Sequence, residues 1–104
     1  MSSAANITFE SDTIGVPPDQ WSAFCAAHDI VHSPQTVGGN IYYHGGFGGV
    51  EAAYHSEHWV SFSTYHGGRA MGDVARLAML AWRRWGGKLS ADPEIRSLLS
   101  KEVA

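Results

Sequence analysis

The stretch from Asn40 to His66, NIYYHGGFGGVEAAYHSEHWVSFSTYH, decides the fold. It divides into three runs, Asn40–His44, Val50–His55 and Trp59–His66, rich in the aromatic and β-branched residues that suit a pleated, half-buried surface. The joints Gly45–Gly49 and Ser56–His58 are too short for a crossover, so neighbouring runs pair antiparallel. In the third run, alternation sets Val60, Phe62 and Thr64 on one face and Trp59, Ser61, Ser63 and Tyr65 on the other. Tyr43-His44, Tyr54-His55 and Tyr65-His66 recur every 11 residues, the length of one strand and one tight turn. A regular meander then puts His44 and His66 at one end of the sheet and His55 at the other.

Towards the N-terminus, Ile7–Glu10 reads as a short strand with Ile7 and Phe9 turned inward, and residues 1–6, small and polar, are expected to be loose. Pro17 and Pro18 suit a helix start, where a missing N–H costs nothing. Trp21, Phe24, Cys25 and His28 follow at i, i+3, i+4 and i+7, one helical face ending near Asp29. Ile30–His32 is a brief strand cut by Pro34.

Towards the C-terminus, the longest helix is predicted over Met71–Trp85, with Met71, Val74, Leu77, Ala78, Ala81 and Trp85 as its apolar stripe. Gly86-Gly87 stops it, and Asp92-Pro93 caps a last helix carrying Ile95, Leu98, Leu99 and Val103. The expectation is a single α+β domain over residues 1–104: a three- to four-stranded antiparallel meander with two to three helices packed on one face. Val74, Leu77, Ala78 and Trp85 should meet Val60 and Phe62.

Composition agrees with this. Apolar residues at 44% and aromatics at 12% can build a core without metal or disulfide staples, and 16% charged residues argue against disorder. Cys25 is the single cysteine, which fits a reducing compartment. With no signal-like segment and no apolar run long enough to span a bilayer, a cytoplasmic location is expected. Charge is uneven: residues 1–68 hold six acids and no Lys or Arg, whereas residues 69–104 hold all seven cations and four acids.

Six histidines invite a metal reading, but their spacings do not converge. The helix ends between His28 and His32, and His55 and His58 lie across a turn. Neither a metal nor any other cofactor is expected. Cys25 shares the stripe of Trp21 and Phe24, which marks an inert, packed thiol. No Gly-x-Ser-x-Gly elbow is present, and the glycine-rich joint lacks the lysine and helix of a phosphate loop. Nothing points to an enzyme. Direct nucleic-acid binding is not expected either, because the sheet region has no cation to neutralise phosphate, and Arg76, Arg83 and Arg84 belong to a helix diluted by acids.

What remains is recognition of another protein. Trp59, Tyr43, Tyr54 and Tyr65 are residue types that anchor interfaces. The acidic, Lys/Arg-free part of the chain favours a partner with a basic, nucleic-acid-binding surface and repels nucleic acid itself. Asp19, Asp29, Glu51 and Glu57 are the candidate steering charges, with Phe47 at a glycine-flanked hairpin tip and Tyr54 as candidate anchors. In size, acidity and lack of catalytic motifs the chain is similar to small phage or mobile-element accessory proteins of the anti-CRISPR inhibitor type. The resemblance implies a non-enzymatic inhibitor or regulator of a nucleic-acid-handling complex, and it carries over no site residues. The alternatives are a structural protein that buries its aromatic sheet face in a homodimer and, behind it, a histidine-based metal-binding protein.

Overall fold

The computed structural model describes residues 3–37, 40–45 and 49–103, with residues 31–37, 40–45 and 102–103 described by their backbone alone. The elements run β1 (Ser3–Thr8), α1 (Pro18–Ala27), β2 (Ile30–Val37), β3 (Asn40–Gly45), β4 (Val50–Ser56), β5 (Trp59–Thr64), α2 (Arg69–Trp85), β6 (Lys88–Ala91) and α3 (Pro93–Val103). The fold is α+β, an antiparallel sheet with three helices packed against it. The four consecutive strands β2 to β5 form the expected meander, and β1 and β6 extend it to six strands in the order β2-β3-β4-β5-β1-β6.

Strand β5 shows why one face is covered. Val60, Phe62 and Thr64 are buried to within 1% of completely, while Trp59 on the other face is 43% exposed. Register carries the pattern sideways: Phe62 lies between Ala52 of β4 and Ala5 of β1, and Val60 between Tyr54 and Ile7. Helix α2 brings Val74, Leu77, Ala78 and Ala81 onto this surface, all fully buried. Helix α1 adds Trp21, whose ring centroid lies 5.6 Å from Phe62, 5.9 Å from Tyr54 and 6.2 Å from Trp85. Helix α3 seals the β6 side with Ile95 and Leu99. The inward set Val74, Leu77, Ala78, Val60 and Phe62 is as the periodicity indicates, and Trp85 packs against it half-buried.

The N-terminal segment differs from expectation. Residues 3–6 are not loose: they open β1, which pairs with β5 on one side and β6 on the other, and Ala5 is fully buried. Propensity misses this because Ser-Ala-Ala-Asn has no branched or aromatic residue, and the strand is held by ladder bonds on both edges instead. The strand ends at Thr8, two residues before the predicted end. Its start is fastened by Asp92, whose Oδ2 accepts from the Ala4 amide at 2.9 Å while its own amide donates to the Ala4 carbonyl at 2.9 Å. Strand β2 also runs past Pro34, with a register shift between Val31 and Gln35. An edge strand tolerates this because one side of its backbone needs no ladder partner. The four-residue strand β6 has no strong sequence signal.

The 11-residue echo has a structural counterpart. His66 packs against Gly49 at the end of the sheet where His44 pairs with Glu51, and His55 lies at the other end, beside the β4–β5 turn.

Candidate functional site

Among the described residues the three helices lie over one face of the sheet, and no helix covers the other. Its described centre is built by β4, β5 and β1, where register aligns Ala53, Ser61 and Asn6 across the three strands. The side chains here are small or polar except at one place. The Trp59 indole stacks on the His55 imidazole with centroids 3.7 Å apart and planes 15° from parallel. His55 Nε2 and Ser61 Oγ are 2.8 Å apart, and Trp59 Nε1 donates to Asn6 Oδ1 at 3.2 Å. One aromatic pair is thereby tied to three neighbouring strands. Ser61 is 8% exposed, so its hydroxyl sits beneath the imidazole rather than on the surface. Burial lowers the His55 pKa below its ordinary value of 6.5, which favours the neutral ring.

A serine beside a histidine has the form of a nucleophile and its base, but the surroundings do not complete that chemistry. Strand β5 is bonded on both sides, so its amides are used in the β4 and β1 ladders and cannot point at a developing oxyanion. Glu51, the acid on the same strand face, is four residues from His55, about 13 Å along an extended strand, too far to orient the ring. What the cluster does physically is hold an indole in a fixed pose with nearly half its surface in solvent. Interface anchors have this character: a rigid aromatic that loses little entropy on contact.

The sequence-predicted residues occupy different places. Glu57 is exposed in the β4–β5 turn and Glu51 is half-buried near the start of β4, so these two bracket the uncovered face. Asp19 is exposed in the first turn of α1, and Asp29 is exposed beyond the other end of that helix, so these two lie with the helical layer or its edge. Tyr54 does not serve as a surface anchor: it is 9% exposed, its ring packs on Trp21, and its hydroxyl donates to the Val16 carbonyl at 2.7 Å. Its strand parity turns it inward with Ala52 and Val50. Phe47 lies outside the described residues. Asn6, His55 and Ser61 were not singled out from sequence as a group, although strand parity already set Trp59 and Ser61 together, away from Phe62.

The charges also divide unevenly between the helices and the rest of the chain. The three helices carry six cations (Arg69, Arg76, Arg83, Arg84, Arg96, Lys101) against four acids (Asp19, Asp73, Glu94, Glu102). The strands and their connections carry Lys88 alone against Glu10, Asp12, Asp29, Glu51, Glu57 and Asp92. The helices thus sum to +2 and the rest of the chain to −5, which returns the net −3 of the chain.

Among the described residues, no three His, Cys, Asp or Glu side chains are placed to hold a metal ion. Among them too, no helix is long and apolar enough to cross a membrane. Cys25 is 1% exposed and its thiol is pushed up to about 12 by burial, so it is not a nucleophile at neutral pH. No family model, curated protein or solved structure matches this chain.

Proposed function

We propose that this chain is a non-enzymatic protein-binding domain that presents its uncovered sheet face to a basic surface of another protein, as an inhibitor or regulator of a nucleic-acid-handling complex. The observation that carries this reading is the clamped, half-exposed Trp59 at the β4–β5 turn end of the uncovered face, with Glu57 in that turn and Glu51 on β4. The indole supplies contact area at low entropic cost, and the surrounding carboxylates favour a cationic partner and disfavour nucleic acid. In this reading Glu51 and Glu57 steer the encounter from the rim, whereas Trp59 governs how long the complex lasts.

The test is a pull-down from the native host followed by kinetics on the captured protein. Glu51→Lys and Glu57→Lys should slow association and reduce its salt dependence. Trp59→Ala should speed dissociation by about thirtyfold, corresponding to a hot-spot loss of roughly 2 kcal/mol. Circular dichroism on each variant checks that the fold is intact. Tight binding of free DNA or RNA, or capture unchanged by all three substitutions, would refute the reading.

A homodimer across the same face is the second reading, favoured by the exposure of Trp59 and of Tyr65, at 43% and 70%. It opposes Glu51 and Glu57 of one copy to those of the other and so should strengthen with salt, which sedimentation at low and high ionic strength distinguishes.

A further inference from the structure

Helix α2 turns most of its surface inward: seven of its residues are buried, all between Ala70 and Ala81. What it leaves outside is a narrow strip. Arg69, Arg76 and Arg83 fall on one line along the helix, because seven residues make almost two whole turns, and about 10.5 Å separates each from the next. Arg69 and Arg83 are exposed and Arg76 is half-buried. Asp73, 3.9 Å from Arg76, and the half-buried Leu80 belong to the same strip, and Arg84 is exposed beside it. Four cations against one acid leave the strip strongly positive. The buried side of α2 packs on β5, β1 and β4, so the strip points away from the sheet, on the opposite side of the molecule from Trp59.

The acidic counterpart lies on the uncovered face. Strand parity sets Glu51 there with Ala53 and His55, and Glu57 stands six residues on, in the β4–β5 turn. An extended chain covers roughly 20 Å in that interval. From Arg69 to Arg83 the helix covers about 21 Å. The apolar positions match as well: Leu80 is one turn from Arg83, and Trp59 is two residues from Glu57. Lys88 shares this face, but it pairs with Thr8, which pairs with Trp59, so it stands two strands to the side of β5, roughly 10 Å away. A helix laid along β4 leaves it clear.

Both halves of this match belong to one chain but to opposite sides of it, so they can meet only between copies. We propose that copies of the chain stack head to tail, the α2 strip of one laid along β4 of the next, with Arg83 at Glu57, Leu80 against Trp59 and Arg69 towards Glu51. The proposal rests on the reading of Trp59 as a docking anchor and names the chain's own basic helix as its occupant where no other basic partner is present. The contact is heterologous, so it leaves one free strip and one free face on every assembly and grows into a ring or a filament rather than stopping at a two-fold dimer.

The experiment is sedimentation equilibrium of the intact chain at about 10 mM salt, where the Debye length is about 30 Å, and at about 0.5 M, where exposed pairs are screened. At low salt the average mass should rise past the dimer as concentration increases towards about 1 mM, and at high salt it should return to the monomer. Arg83→Glu should weaken association about fivefold or more, whereas Lys101→Glu, the same change of charge on α3, should leave it within about twofold. Two double variants separate the faces. Arg76→Glu with Arg83→Glu spoils the strip and keeps the sheet face, and Glu57→Lys with Trp59→Ala does the reverse. Each should be monomeric alone, and their mixture should form a 1:1 dimer and stop there, since one working strip and one working face remain. Assembly on mixing also shows that both variants are folded. A monomeric mass at every concentration in low salt would overturn the proposal. So would equal weakening by Arg83→Glu and Lys101→Glu, or dimers that persist in the strip variant, which would mark a two-fold dimer across the sheet face. None of these results bears on capture of a basic partner, which is read from Trp59→Ala in the kinetics of that complex, so the two readings fail separately.

Discussion

Truncation of Phe62 tests which face of the sheet is the core. The side chain is fully buried, with its ring centroid 5.6 Å from Trp21 and 6.1 Å from Phe24. Phe62→Ala removes a whole buried ring and leaves a cavity between α1 and the sheet, at a cost of about 3–5 kcal/mol. Each aromatic pair adds about 0.5–1.5 kcal/mol beyond area, so the upper half of that range is expected. Against a total stability of roughly 5–15 kcal/mol, the variant should be marginal. At about 5 °C per kcal/mol for a domain of this size, Tm should fall by roughly 20 °C. The control is Trp59→Ala, three positions away on the other face, which loses one stacked pair and partial burial and should cost about 1–2 kcal/mol. Urea denaturation followed by far-UV circular dichroism measures both, and the slope m should be unchanged if only native packing is lost. A Phe62→Ala midpoint within error of the parent, or a larger loss for Trp59→Ala, would show that the two faces are assigned backwards.

Three further outcomes are expected. Cys25, with its thiol pushed up to about 12, should resist an aromatic disulfide reagent in the native state and react fully in denaturant; rapid native labelling would show that the Trp21, Phe24 and Cys25 face is not inward. The folded chain binds the His55 proton less readily than the unfolded chain, so this residue's contribution to stability is whole above pH 6.5 and is lost as pH falls from there through the folded value. Between about pH 7.5 and 5 the urea midpoint of the parent should therefore fall more than that of His55→Gln, and parallel curves would remove burial of the imidazole as the cause. Gly15→Ala should cost about 2 kcal/mol or more, because alanine is strained at φ +69° and its methyl meets the Glu57 carbonyl; Gly67→Ala, where a methyl has open space, is the near-neutral comparison.

Most of the architecture was legible because periodicity reports burial directly. The α2 stripe and the alternation of β5 name core residues without any knowledge of topology, and the short joints of the meander dictate antiparallel pairing. What was not legible is what tertiary contacts decide. Ser3–Asn6 becomes a strand only because β5 and β6 lie on either side of it, and Ala5 suits a place where α2 approaches closely. Tyr54 was read as an anchor by residue type, although its parity with Val50 and Ala52 points it inward. The cluster of Asn6, His55, Trp59 and Ser61 joins three strands whose register no single segment encodes.

The edges of the sheet bear on how a partner would dock. An extended peptide can add to a free edge through backbone hydrogen bonds, which needs a regular row of donors and acceptors. Strand β2 is one edge, and there Pro34 lacks an N–H and the register shifts between Val31 and Gln35. Strand β6 is the other, four residues long and beginning at Lys88. A proline, an irregular register, a short length and a lysine are the features that discourage strand addition. A partner is therefore left to read side chains, and among the described side chains of the uncovered face Trp59 combines large area with a fixed pose. Recognition of that kind depends on the His55 stack and the Asn6 hydrogen bond more than on any backbone group. Asn6→Ala should thus weaken partner binding without touching the core, by freeing the indole to adopt other rotamers, and should lower its fluorescence anisotropy in the free protein. Unchanged anisotropy together with unchanged binding would mean that the clamp does not hold the ring, and the case for Trp59 as a pre-set anchor would fail.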